Sequence, residues 1–187
     1  TLLPSVEIDD NDAYIYFRES ELSKLRNRLF ARNKSQPTDN KNKKYDIILI
    51  YADRVRNRLA IAYPPMGLHL LNSVIIDSGF ASRVVECNEA NFISVFNDEI
   101  VNKCKVVGFY CACNNETIVT NMSRYIKRNS KDTVVVIGGP QAYSLNEEFF
   151  DKSAADVVVE GEGEGAIVEL LNYYIKNVGD LSEIKNI

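Results

Sequence analysis

From residue 45 onward the chain alternates short, unbroken apolar runs with longer stretches of helical periodicity, and few folds accommodate that rhythm. The runs YDIILIY (45–51), SRVVEC (82–87), KVVGFYCA (105–112), DTVVVIGGP (132–140) and ADVVVEGEGE (155–164) carry β-branched and apolar residues at consecutive positions. A strand that is apolar on both faces must be covered on both faces, as in a parallel sheet between two helical layers. The intervening stretches PPMGLHLLNSVIIDSGF (64–80), EANFISVFNDEIVNKC (89–104), NNETIVTNMSRYIKRNS (114–130), SLNEEFFDKS (144–153) and GAIVELLNYYIKNVG (165–179) supply the helices. Prolines open the first of these and Gly79 closes it, while Asn114 or Asn115 is expected to cap the third. Strictly alternating β and α elements predict an α/β fold, a doubly wound five-stranded parallel sheet of flavodoxin- or Rossmann-like order 2-1-3-4-5.

Residues 1–44 break this rhythm and are expected to form an N-terminal helical extension separate from an α/β domain over 45–187. Phe17, Leu22, Leu25, Leu29 and Phe30 fall at helical spacing behind Ser20, a candidate cap. The polar run SQPTDNKNKK (35–44) then reads as a linker. Its lysines and the basic residues before it could touch a polyanion, but read more simply as the solvated face of an amphipathic helix and its linker. The net charge of −4 and pI near 5.2 give no electrostatic reason to bind nucleic acid or an anionic membrane.

Cys87, Cys104, Cys111 and Cys113 make neither a CxxC pair nor the CxxxCxxC spacing of an iron–sulfur loop, and no Cys/His zinc pattern is present. They read as reduced thiols of a cytoplasmic protein, with no metal site of their own. No apolar run reaches the length of a membrane span, and the acidic start TLLPSVEIDDND has no signal-peptide shape.

In a sheet of this order ligands bind beyond the carboxyl ends of the strands, where the strand order reverses. The loops there are ADRVRNRLAIAYPPMG (52–67), CACNNE (111–116), GGPQAY (138–143) and EGEGEG (160–165). Phosphate is a poor candidate. No GxGxxG follows the first strand, no GxxxxGK[ST] occurs, and Glu160, Glu162 and Glu164 would place negative charge where phosphate would sit. A flavin loop and a phospho-acceptor aspartate are missing too: the loop after the first strand carries Arg54, Arg56 and Arg58, and the third strand ends in FYCACNN. A wide, mostly uncharged ligand fits better, because Gly138, Gly139, Gly161, Gly163 and Gly165 remove side chains where a planar group would press on backbone.

The set YPPMGLHLL, KVVGFYCACNNET, VVVIGGPQAY and ADVVVEGEGEGAIVELL resembles the cobalamin-binding, Rossmann-like N-terminal domain of cobalamin-dependent radical SAM enzymes. The resemblance spans roughly residues 45–178. It implies a domain that holds cobalamin, by Pro65, Met66, Gly67 and Leu68, by Cys111, Ala112, Cys113 and Asn114, by Gly138, Gly139, Pro140 and Gln141, and by Glu160, Gly161, Glu162 and Gly163. It assigns this chain no catalytic residue and no protein metal ligand. S-adenosylmethionine, the iron–sulfur cluster and the methyl transfer or other radical chemistry would belong to a barrel domain of the same polypeptide, absent from these residues.

Many cobalamin domains place a cobalt-binding histidine in a DxHxxG motif after the first strand. Aligning Asp53 with its aspartate puts Val55 at the histidine and Arg58 at the glycine. The lone histidine, His69, falls inside a predicted helix, so the resemblance implies cobalamin held His-off. The competing reading is a flavodoxin-like domain without a cofactor that serves regulation or protein interaction.

Overall fold

The computed structural model describes residues 44–53, 65–100, 103–142 and 147–187; the predicted N-terminal helix and linker lie outside them. Five strands form one parallel sheet in the order β2-β1-β3-β4-β5, as the sequence predicts. They are β1 (Tyr45–Asp53), β2 (Ser82–Asn88), β3 (Cys104–Tyr110), β4 (Val134–Gly138) and β5 (Val157–Val158). The helices are α1 (Met66–Asp77), α2 (Phe92–Val95, continued by a π turn over Phe96–Ile100), α3 (Glu116–Asn129), α4 (Glu147–Ser153) and α5 (Gly163–Lys176). A short 3-10 turn, Leu181–Glu183, follows. Among the described residues no helix is long and apolar enough to cross a membrane.

Successive strand residues point to opposite layers, which explains the unbroken apolar runs. Ile47, Leu49, Val106, Val134 and Val136 pack with Leu68, Ile75, Ile167, Leu170 and Leu171 beneath α1 and α5. Ile48, Ile50, Val107, Phe109, Val135 and Ile137 pack with Phe92, Phe96, Ile118, Met122 and Ile126 beneath α2 and α3. Each such side chain, fully buried, contributes about 1.5–3 kcal/mol of transfer free energy. Gly108 belongs to this packing, since a Cβ there would lie 2.8 Å from Leu49 Cδ2 on the neighbouring strand.

Local chemistry sets the element ends. Gly79, at φ 85°, closes α1: its N–H donates to Ile76 O and that of Phe80 to Ile75 O, the paired bonds of a Schellman motif, with Phe80 buried behind them. The helix expected over 89–104 is shorter. Asn88 Oδ1 accepts from the amides of Ala90 and Asn91, and Asn91 Oδ1 accepts from that of Asn88, so these side chains hold the backbone in a turn until Phe92. At the other end of that stretch, Cys104 already belongs to β3. The expected strand over 155–164 is also corrected: only Val157 and Val158 are regular strand, flanked by Asp156 N–H to Val135 O and Val159 N–H to Ile137 O.

Candidate functional site

The carboxyl ends of the neighbouring strands β1 and β3 are tied by the side chain of Asn115. Asn115 is 2% exposed. Its Nδ2 donates to Ala52 O at 2.8 Å and Tyr110 O at 3.0 Å, and its Oδ1 accepts from Ala112 N–H at 2.7 Å. Asn115 occupies the N-cap position of α3 but makes no side-chain bond to the helix. The expected cap is therefore a brace across the switch point, bonding backward to both strand ends instead of forward to the first helical turn.

The next link joins the β3 and β4 loops. Cys111 N–H donates to Gly138 O at 2.7 Å, and Gln141 N–H donates to Cys111 O at 3.2 Å. Gly139 lies between these bonds with φ 110°, and a Cβ there would stand 2.6 Å from Cys111 O and 3.0 Å from Cys111 N. Gly139 is expected from the sequence chiefly to clear a ligand; the close approach of its backbone to Cys111, beyond its positive φ, is a structural requirement in its own right. The Cys111 side chain is buried in the α2/α3 layer, and burial, with the nearby Glu116 charge, pushes its thiol up to about 12. Cys111 therefore presents no thiolate to a ligand, whereas Ala112 is half-buried and Cys113 and Asn114 are exposed.

The glycine–glutamate stretch divides into a turn and a helix start. Gly161 has φ 73°, Glu162 is the N-cap residue of α5 with no side-chain cap bond, and Gly163, Glu164 and Gly165 already lie in its first turn. Glu164 there is placed to favour the positive end of the helix dipole. Glu160 and Glu162 are exposed and Glu164 half-buried. Among the described residues, chain neighbours and the helix's own backbone aside, nothing lies within 4 Å of where a Cβ would stand at Gly161 or Gly165, while a Cβ at Gly163 would touch Leu71 at 3.8 Å and Val159 at 3.9 Å. The start of α5 thus closes against α1, and one at Gly138 would meet Val159 O at 3.6 Å.

At the start of α1, Pro65 is buried and Leu68 sits in the core beneath α1 and α5, so neither offers a free side-chain face. Gly67 is exposed and has open space where a Cβ would stand. Met66 is 70% and Leu70 57% exposed, one helical turn apart, and form an apolar ridge at this end of α1. Leu70 was not anticipated, and neither were Tyr51, two residues before the end of β1, and Tyr110, the last residue of β3, whose rings meet at 5.9 Å. Aromatic residues closing two adjacent apolar runs were the available signal. His69 is half-buried on α1. Val55, Arg58 and the rest of the loop over 54–64 lie outside the described residues.

The β3, β4 and β5 loops and the start of α1 therefore form one linked rim along the carboxyl edge of the sheet. Among the described residues, its glycine backbone is open at Gly67, Gly161 and Gly165.

Against solved structures, the chain is similar to the radical S-adenosylmethionine methyltransferase TsrM from Kitasatospora setae, with TM-score 0.62 and 17% identity over 75% of this chain and 28% of that one. It is similar also to the cobalamin-dependent S-adenosylmethionine radical enzyme OxsB, with TM-score 0.58 and 13% identity over 96% of this chain and 23% of that one. The chain spans about a quarter of the length of either enzyme. Among curated proteins, none matches the sequence significantly. The family profile described as "B12 binding domain" matches residues 55–171, more than half of the chain, and with the strand order and the linked rim it identifies the chain as a member of the B12 binding domain family.

Proposed function

We propose that the chain binds cobalamin along the carboxyl edge of its sheet, His-off, as the cofactor domain of a radical SAM enzyme. The observation that carries this reading is the open glycine rim. Gly67, Gly161 and Gly165 leave clearance for a wide ligand, and Met66 and Leu70 add exposed apolar surface at one end. Ala112, Cys113, Asn114, Gly138, Gly139, Pro140 and Gln141 supply the middle of the rim, and Glu160, Gly161, Glu162 and Gly163 the far end. The exposed carboxylates of Glu160 and Glu162 can accept hydrogen bonds from amide substituents, and charge-assisted bonds of this kind are stronger than neutral ones. Leu68 and Cys111, whose side chains face the two cores, support the rim from behind. Cobalamin supplies a cobalt-centred alkyl carrier when bound. S-adenosylmethionine and the iron–sulfur cluster belong, in this reading, to a barrel of the same polypeptide.

The His-off part rests on the lone histidine lying on α1 and on Val55 at the position where a histidine would coordinate. Electron paramagnetic resonance of the chain loaded with cobalt(II) cobalamin should show no nitrogen superhyperfine splitting from a protein imidazole, so that any splitting present, from the cofactor's own base, is the same in His69→Ala. A nitrogen triplet that disappears in His69→Ala would overturn it.

A further inference from the structure

Beyond α5 the chain turns back along the sheet edge. Asn177 (φ 56°) and Gly179 (φ 95°) reverse its direction, and Asp180 Oδ1 accepts from Ser182 N–H and Oγ–H to start the 3-10 turn. Leu181 and Ile184 pack on the core beneath α1 and α5, which fixes this segment without help from its last residues. Two further bonds join it to the glycine–glutamate turn. Glu160 N–H donates to Asn186 O at 2.8 Å, and Asn186 Nδ2 donates to Glu162 O at 3.2 Å. They bracket Gly161, the residue of that turn with positive φ and, among the described residues beyond its chain neighbours, nothing against its Cβ position. Asn186 adopts φ 68° to make both contacts, a conformation that asparagine tolerates better than most residues.

We propose that Asn186 is a positioning residue for cobalamin, and that residues 180–187 act as a strap holding the turn over 160–163 in its ligand-ready shape. The proposal rests on the cobalamin reading above. Core burial does not fix this turn, since Glu160, Gly161 and Glu162 are all exposed. A glycine at the centre of an exposed turn has wide conformational freedom, and pinning the residues on both sides removes most of it before the ligand arrives. The strap also makes the turn's shape depend on the segment beyond α5.

Asn186→Gly tests this, because glycine keeps the positive φ and the backbone carbonyl and deletes only the amide. In the full 187-residue chain the variant should bind hydroxocobalamin roughly three- to ten-fold more weakly, the range of one hydrogen bond. Amide exchange over 160–163 should rise while that of β1 and β3 stays put, and the urea midpoint should hardly move. Asn186→Asp, which sets a carboxylate oxygen against Glu162 O, should weaken binding at least as much. Unchanged affinity in both variants overturns the proposal, as does an affinity loss matched by an equal loss of global stability. Failure of the unsubstituted chain to take up hydroxocobalamin overturns the cobalamin reading instead. Exchange in the ligand-free chain then decides the strap, and an unchanged pattern over 160–163 overturns it.

Discussion

Asn115→Leu should destabilise the chain by about 3 kcal/mol or more, although leucine is close in size and the site is interior. The substitution removes the bonds to Ala52 O, Tyr110 O and Ala112 N–H, and each buried group left without a partner costs about 1–3 kcal/mol. Partial relaxation toward solvent through Ala112, which is half-buried, limits the total. Asn115→Asp separates the acceptor from the donor role. It keeps an oxygen for Ala112 N–H but faces two carbonyl oxygens with a carboxylate, so it should lose a comparable amount near neutral pH. Urea unfolding with an unchanged slope measures both, and a loss below about 1 kcal/mol in each would show that the brace is dispensable.

Gly139→Ala should cost about 2–4 kcal/mol in the ligand-free chain, combining a positive-φ penalty of about 1 kcal/mol with displacement of the β4 loop from Cys111. The nearest atoms are backbone O and N, which cannot rotate away as a side-chain tip can. Gly165→Ala is the internal comparison. That glycine lies inside α5 with open space around it, and alanine there should stabilise by about 0.5–1 kcal/mol. Thermal melts of the two variants in the absence of ligand should therefore move in opposite directions. A Gly139→Ala melt at the wild-type temperature would return that glycine to a role in ligand clearance only.

These two residues mark where the sequence was legible and where it was not. The sheet order could be read because a parallel strand covered on both faces leaves an unbroken apolar run, and each of the five runs contributes a strand. Gly79 could be read as a helix stop because a Schellman turn is built from neighbouring residues. Asn115 could be seen only as a cap, because its role depends on Ala52, distant in the chain and adjacent only once β1 and β3 pair. The glycine–glutamate stretch was recognisable as special, but its division was not. Glycine disfavours helix, yet the buried stripe Ala166, Ile167, Leu170 and Leu171 carries α5 back to Gly163. The strap left no signal at all: Leu181 and Ile184 are too few to show periodicity, and the positive φ of Asn186 is imposed by its partners in the turn.

If the rim holds cobalamin, the chain should take the cofactor up from solution. The purified 187-residue chain is mixed with excess hydroxocobalamin, desalted, and its visible spectrum recorded against protein concentration. Corrinoid absorbance should co-elute with the protein at close to one equivalent, in a spectrum unchanged by His69→Ala. Colourless protein, with all of the corrinoid in the small-molecule fraction, would contradict cobalamin binding at the rim.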